Sequence, residues 1–371
     1  MQQVPWSAAH EKLLTAYVGG ATPDVFQLGS TWVAEFAALE ALEPLDAHLA
    51  RAGEVAANRF FSGVLEANRV GHTTWAIPWY VDTRVVFYRA DLLAQVGEAA
   101  VPHRWDDWTA VMRRMKATLP SEQYPMFLPV DEWEPLVILA LQHGAELLRD
   151  GGRYGNFRSG PFRRAFARYL EVFREGLAPG RRGTQVANLY RDFAEGMFCF
   201  YLTGPWNLGE FARRLPEALQ PQWRVAPMPS LTAEWPGTSI AGGASLAVFR
   251  GARNRDVAWQ LIEFLTSPAQ QRRLYALSGN LPANRAAWDD AALRGDERVE
   301  AFRVQLTRVA APPAVPEWER IAATLSQWSD AVVRGDVTVD EALAQLDARV
   351  DAMLEKRRWM LDRSARSGVE P

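Results

Sequence analysis

The sequence predicts an α/β protein with two lobes. Its 371 residues exceed what one hydrophobic core usually serves, so two domains are expected. Short apolar runs alternate with longer amphipathic stretches, which is typical of strands and helices that follow one another in α/β layers. Glycine and proline punctuate these runs, and no internal repeat is visible.

The composition narrows the class of protein. A hydrophobic content of 48% with 23% charged residues indicates a globular chain. The net charge is −3 with both signs interspersed, so nothing favours a nucleic-acid or anionic-membrane partner. The single Cys199 excludes an intrachain disulfide and is expected to pack as a small hydrophobe. No membrane-spanning run or signal peptide is visible.

Apolar runs bounded by turn residues predict the strands. Residues 24–28, for example, follow Pro23 and end at Gly29, and residues 2–5 read as the end of another strand. The remaining predicted strands cover residues 75–88 with a break at Pro78, 126–130, 198–202 and 245–249.

Apolar residues spaced three or four apart predict the helices. The last predicted helix opens with a capping box, in which Thr338 and Glu341 cap each other's backbone N–H groups. The predicted helices cover residues 7–19, 33–42, 105–116, 135–148, 161–175, 208–214, 256–266, 268–278, 290–308, 317–333 and 339–359.

The segment 75–88 is the most informative part of the sequence. Proline cannot donate to a strand ladder, so the break at Pro78 predicts a crossover between two packed units. Trp79, Tyr80 and Asp82 would lie at this joint, and aromatic rings beside a carboxylate suit a polyhydroxylated ligand. An ordinary strand with a bulge and two core aromatics explains the same residues equally well.

Other candidate ligand contacts follow predicted strands. Trp206 lies in a Gly-Pro-Trp-Asn turn after residues 198–202, and Thr31 and Trp32 follow residues 24–28 in the same way. Either tryptophan could instead pin a helix to the sheet. The paired Gly242 and Gly243 suit close backbone approach, without the spacing of a phosphate-binding loop.

Signals for catalysis and for metals are weak. Asp131 and its acidic neighbours could suggest the carboxylate pair of a glycoside hydrolase, but adjacent acids in a loop are usually solvated. The five histidines lack metal-ligand spacing, and no nucleophile motif is present. No cofactor and no metal site are predicted.

Several motifs, taken in order, resemble the family 1 extracellular solute-binding proteins, the maltose-binding-protein-like receptors of ABC sugar importers. The resemblance spans essentially the whole chain, and the shared order of the motifs carries it. The matching segments are residues 19–25 (GGATPDV), 76–88 (AIPWYVDTRVVFY), 203–206 (TGPW), 258–265 (AWQLIEFL), 267–271 (SPAQQ), 279–285 (GNLPANR) and 338–343 (TVDEAL).

The resemblance implies a two-lobed periplasmic-binding-protein type II fold. The N-lobe would comprise residues 1–79 and 237–284, and the C-lobe residues 80–236 and 285–371. Hinge crossovers are expected near residues 78–84, 230–240 and 280–290, and the lobes would close on the ligand like a clamp. Family members carry roughly one more strand and helix at the start, so the N-lobe is expected to lack its first strand and helix.

The resemblance also implies which residues contact the ligand. Asp82 matches a hinge acid, Trp206 a stacking aromatic, and Thr31 with Trp32 the N-lobe contact loop. The remaining expected contacts are Asp131, Trp133, Gly242, Gly243, Arg285 and Trp318, the last of which could equally belong to the core.

The expected function is therefore that of a non-enzymatic, periplasmic or cell-surface protein. It would capture a neutral saccharide, such as the disaccharides maltose or trehalose, and deliver it as a monomer to ABC permease transmembrane subunits. The alternative is a glycoside hydrolase or other sugar-active enzyme using Asp82 and Asp131. A chemoreceptor-coupled binding protein is a third possibility.

Overall fold

A computed structural model describes residues 2–52 and 57–367. The strands are β1 (Val25–Gly29), β2 (Arg69–Val70), β3 (Thr73–Thr74), β4 (Ile77–Asp82), β5 (Val85–Arg89), β6 (Tyr124–Phe127), β7 (Leu148–Arg149), β8 (Tyr154–Gly155), β9 (Phe198–Thr203), β10 (Trp223–Ala226), β11 (Ser239–Ile240), β12 (Gly242–Val248) and β13 (Val309–Ala310). The helices are α1 (Trp6–Val18), α2 (Val33–Ala38), α3 (Asp46–Arg51), α4 (Ser62–Glu66), α5 (Ala90–Ala94), α6 (Trp105–Lys116), α7 (Glu134–Gln142), α8 (Gly160–Arg174), α9 (Leu189–Ala194), α10 (Trp206–Arg214), α11 (Arg255–Leu265), α12 (Pro268–Ser278), α13 (Ala291–Arg294), α14 (Glu297–Gln305), α15 (Trp318–Val333), α16 (Val339–Met353) and α17 (Glu355–Ser367).

The chain divides into two compact units. The first unit contains the residues up to Thr83 together with Gly204–Glu210 and Ile240–Trp318. The second unit contains Arg84–Thr203, Phe211–Ser239 and the residues from Glu319 onward. The predicted lobes grouped residues 285–371 together, whereas the structure divides them after Trp318.

The first unit is built on an antiparallel sheet in the order β1–β12–β4. Phe26 and Leu28 of β1 are buried on one face of this sheet, where Phe26 stacks on Phe249 with ring centroids 4.0 Å apart. Phe36 of α2 joins the same core cluster. Apolar residues on one face and half-buried ones on the other are the pattern of a sheet covered on a single side.

The predicted break at Pro78 is wrong, because β4 runs without interruption from Ile77 to Asp82. Two features of the sheet admit the proline. β4 is an edge strand of the sheet, and its register with β12 shifts at Ala244 and Ser245. Proline, which lacks the N–H, is tolerated at edges and bulges. The strand and the bulge of the alternative interpretation are present, but its two core aromatics are not, because Trp79 and Tyr80 are half-buried.

The second unit has a mixed sheet in the order β10–β5–β9–β6, with β6 parallel to β9 and the other pairs antiparallel. Every residue of β5 is buried, as expected for an interior strand covered on both faces. Phe87 of β5 stacks on Trp223 of β10 with ring centroids 5.9 Å apart, and Phe211 packs against both rings.

Several boundaries differ from the sequence prediction. Residues 2–5 form no strand, and the predicted helix 290–308 is split into α13 and α14, each capped by an aspartate. The predicted helix 339–359 ends at Met353, and α17 follows. Within the described ranges, no helix has both the length and the apolar character that a bilayer crossing requires.

Candidate functional site

Asp82 lies at the carboxyl end of β4 in the first unit, where it is half-buried. Its backbone pairs with Gly242 of the central strand β12. A Cβ atom at Gly242 would stand 3.3 Å from the Asp82 carbonyl oxygen and 3.7 Å from its Cβ. The structure thus brings Asp82 together with Gly242, a residue that has no side chain.

Gly243 combines a positive φ angle with a close backbone contact, and both require glycine. Its φ angle is +139°, and a Cβ atom there would lie 2.2 Å from the Tyr80 carbonyl oxygen. No real side chain fits such a contact. The expectation of close backbone approach at the glycine pair describes this geometry, and the partner backbone is β4 itself.

The half-buried face of the first sheet carries a polar row of Gln27, Tyr80 and Asp82, to which the sequence analysis did not assign Gln27. Gln27 of β1 donates its side-chain N–H to the Tyr80 hydroxyl at 2.8 Å, across the central strand. Burial and the nearby Asp82 carboxylate raise the pKa of Tyr80 to about 12, so this phenol is neutral at physiological pH. The period-2 alternation of β1 and β4 is the sequence signal that could have found this row.

Thr31 lines a shallow pocket within the first unit. Its volume is only about 20 Å³, the space of roughly one water molecule, and the polar residues among those that line it are Ser30, Thr31 and Arg69. Small apolar residues form the rest of the wall, namely Ala34, Ala67, Val70, Ala311, Pro312, Pro313 and Ala314. Thr31 is therefore placed where a small polar group could reach it.

Trp32 is placed differently, because its ring is only 7% exposed. Trp6 of α1 stacks on it with ring centroids 4.7 Å apart, and His10 meets it edge-on at 5.0 Å. His10 Nε2 also lies 2.6 Å from Glu35 Oε2 on α2. Trp32 thus joins α1 to α2 in the core of the unit.

Trp206 begins α10 and has 43% of its surface exposed, although it follows a wholly buried strand. Its ring lies over the backbone of Gly204, since a Cβ atom there would stand 1.9 Å from the nearest ring carbon. Asn207 beside it is buried. The turn thus holds a large aromatic face at the surface, which is what stacking on a ligand needs.

Two further candidates of the first unit lie in different surroundings. Arg285 is exposed, and its guanidinium stands 6.0 Å from the centre of the Phe61 ring. Trp318, at the start of α15, is 1% exposed. It therefore lies in the core, the second of the two places that the sequence allowed.

Asp131 and Trp133 belong to the second unit. Asp131 is exposed, and its carboxylate accepts the Gly183 N–H at 2.8 Å, which ties two loops together. Trp133 is half-buried at the residue preceding α7. The adjacent Glu134 is paired with the buried Arg84 at 2.5 Å. Asp131 and Glu134 of the acidic run thus each have a different partner.

The described residues contain no group of three or more histidine, cysteine, aspartate or glutamate side chains arranged to hold a metal ion. The lone Cys199 is buried next to the Arg89 backbone, and burial raises the pKa of its thiol to about 12. Such a thiol is inert rather than nucleophilic.

Comparisons with known proteins assign the chain to a family. The sugar-binding protein MalE from the phytopathogen Xanthomonas citri has a similar solved structure, with 42% identity, a TM-score of 0.92, and coverage of 97% of this chain and 91% of that one. The diacetylchitobiose binding protein DasA of Streptomyces coelicolor is 25% identical over 85% of this chain and 73% of its own length. Maltose-bound MalE3 of T. maritima shares the fold at 22% identity, with a TM-score of 0.76 over 94% of this chain and 89% of that one.

The family match confirms the resemblance drawn from the motifs, and with it the fold and the expectation of a non-enzymatic protein. The alternative of a glycoside hydrolase is overturned, since solute-binding proteins capture ligands without turning them over. Residues 1–272 match the family model, so the chain belongs to the family described as bacterial extracellular solute-binding protein.

Proposed function

We propose that the chain is the sugar-binding component of an ABC importer and that it captures a neutral saccharide of disaccharide size. The carrying observation is the half-buried Asp82 at the end of β4, which pairs with Gly242 next to Gly243, two residues without side chains. A carboxylate accepts two or more hydrogen bonds from sugar hydroxyls, and such bonds are strong where water is excluded. The 42% identity to a sugar-binding MalE supports the same ligand class.

Trp206 supplies the second element of the proposal. The exposed indole ring of Trp206 can stack on the C–H face of a pyranose ring, while the Asp82 carboxylate accepts hydrogen bonds from its hydroxyls. Thr31, Asp131, Trp133 and Arg285 stay proposed contacts. Trp32 and Trp318 are proposed to act through packing, because their rings are buried. The cleft between the lobes and the delivery of the sugar to permease subunits remain predictions. The periplasmic or cell-surface location likewise remains a prediction.

Isothermal titration calorimetry with maltose, trehalose, sucrose and xylobiose tests the proposal. We expect one of these sugars to bind, and Asp82→Asn to weaken that binding by about tenfold or more, because a charge-assisted hydrogen bond is lost. Trp206→Ala should cost a similar factor by removing the stacking face.

Trp359→Ala is the matched control, since Trp359 is likewise exposed but lies on α17 of the second unit. It should leave the dissociation constant unchanged. Failure of all four sugars to bind, together with tight binding of a phosphate ester or a peptide, would refute the proposal.

A further inference from the structure

The half-buried face of the first sheet shows an ordered set of hydrogen-bonding groups beyond Asp82. Half-buried positions alternate with buried ones along β1, which places Gln27 on the opposite face from Phe26 and Leu28. On β4, Tyr80 and Asp82 are both half-buried and are separated by the buried Val81. Residues two apart on a strand share a face.

Opposite Tyr80 and Asp82, the central strand β12 carries only glycine and alanine. β12 places Gly242 opposite Asp82, Gly243 opposite Val81 and Ala244 opposite Tyr80. Gln27 itself is opposite Leu246, and its side chain reaches diagonally across β12 to Tyr80. The glycine and alanine beside Asp82 and Tyr80 leave room there for a ligand's edge.

The direction of the hydrogen bond between Gln27 and Tyr80 determines which group of this polar row can donate to a ligand. The Gln27 amide donates, so the Tyr80 oxygen is the acceptor and the phenol hydrogen is left to point elsewhere. Among the described residues, no further hydrogen-bond partner is found for the Tyr80 hydroxyl. Asp82, one step along the same strand face, can only accept while it is ionised.

We propose that Tyr80 contacts the ligand as a hydroxyl donor beside the acceptor Asp82, and that Gln27 is the positioning residue that turns the phenol hydrogen toward the ligand. This inference rests on the proposed function and sharpens its ligand class. The donor–acceptor pair fits a sugar ring with two unsubstituted hydroxyls on one edge, one accepting from Tyr80 and the other donating to Asp82. Deoxy or methylated sugars at that edge would bind less tightly.

Two substitutions separate this role from simple packing. Tyr80→Phe removes the hydroxyl donor. It should raise the dissociation constant for the bound sugar by about three- to tenfold, which is the effect of losing one neutral hydrogen bond. Gln27→Glu is nearly isosteric and keeps a hydrogen bond with Tyr80. A carboxylate can only accept, however, so the phenol hydrogen would turn away from the ligand. We expect a loss similar to that of Tyr80→Phe, at an unchanged melting temperature.

The double variant tests the coupling between the two residues. In the Tyr80→Phe background, Gln27→Glu should have no further effect, because there is no phenol hydrogen left to redirect. An equal effect in both backgrounds would mean that the added charge acts directly, and would overturn the positioning role. Tyr17→Phe is the control: its hydroxyl also belongs to the first unit but donates to the Leu39 carbonyl.

The titrations use the full chain with maltose, trehalose, sucrose and xylobiose. Wild-type binding with an unchanged affinity in Tyr80→Phe overturns this inference alone. A wild-type chain that binds none of the four sugars but binds a phosphate ester or a peptide tightly overturns both the inference and the proposed function.

Discussion

At the scale of single residues, Gly243 is a position where the backbone leaves little room for any side chain. Its φ of +139° is a region that residues with a Cβ rarely adopt, and a Cβ atom would lie 2.2 Å from the Tyr80 carbonyl oxygen. Gly243→Ala should therefore lower the free energy of unfolding by about 2–4 kcal/mol, from backbone strain and overpacking combined. Thermal or urea denaturation measures this change.

Gly251→Ala is the matched control in the same unit. A Cβ atom at Gly251 meets nothing within 4 Å, and the φ angle is not in the left-handed region. The change should stay within about 0.5 kcal/mol. Equal stability of the two variants would show that β4 and β12 do not approach as closely as described.

Individual residues show which parts of the candidate site could be predicted from the sequence. The glycine pair and Asp82 were predicted as ligand contacts from patterns that are local to the chain. The hydrogen bond between Gln27 and Tyr80 could not be predicted in this way, because the two residues are 53 positions apart and meet only through the strand order β1–β12–β4. Trp32 was assigned to the ligand because a strand-end tryptophan suits either role, and only the stacked Trp6 shows that its ring is covered.

At the scale of elements, α16 holds the β8 segment through two carboxylates one turn apart. Asp347 accepts the Phe157 N–H at 2.8 Å, and Asp351 accepts the Gly155 N–H at 2.8 Å. Burial nevertheless raises the pKa of Asp347, since desolvation outweighs the hydrogen bonds from the Phe157 and Arg158 backbone. Ionisation of Asp347 therefore lowers the free energy of unfolding.

Replacing Asp347 with Asn should change how the free energy of unfolding depends on pH. With a raised pKa, the folded state keeps its proton longer than the unfolded state, so stability falls as pH rises from the ordinary Asp value through the folded pKa. Asn still accepts the Phe157 N–H but does not ionise. Relative to wild type, Asp347→Asn should therefore gain stability between pH 3 and pH 7, as urea denaturation at each pH would show.

The exposed Asp340→Asn, on the same helix, controls for the loss of a charge. It should show no such gain. A constant stability difference between Asp347→Asn and wild type across this pH range would contradict the assigned cause.

The elements also show why boundaries are harder to predict than the presence of a strand or helix. The rule that proline ends a strand failed at Pro78, because β4 is an edge strand with a shifted register. Neither property is visible in the segment itself. The capping box at Thr338, by contrast, is entirely local, and α16 begins where it predicts.

At the scale of the whole molecule, the order of the motifs predicted the family and the fold, while the division of the chain needed the structure. Gly204–Glu210 joins the first unit although both flanking segments belong to the second. Residues 285–318 likewise join the first unit. Such memberships depend on contacts between distant parts of the chain, which local patterns do not encode.

Ligand binding should stabilise the whole chain by linkage. A saccharide that binds only the folded state adds about 2.7 kcal/mol at a free concentration of one hundred times its dissociation constant. The unfolding entropy of a chain of 371 residues is about 0.8 kcal/mol per kelvin, so the melting temperature should rise by about 3 °C. Differential scanning calorimetry against sugar concentration checks the rise.

Two comparisons distinguish specific binding from a solvent effect. Sugars excluded from protein surfaces stabilise any fold at high concentration, so a disaccharide that does not bind in calorimetric titration must be scanned at the same millimolar concentrations. It should leave the melting temperature unchanged. Asp82→Asn should need at least about ten times more of the binding sugar to reach the same rise, since its dissociation constant is larger by that factor. Equal rises in wild type and Asp82→Asn would mean that the sugar stabilises the chain without using this carboxylate.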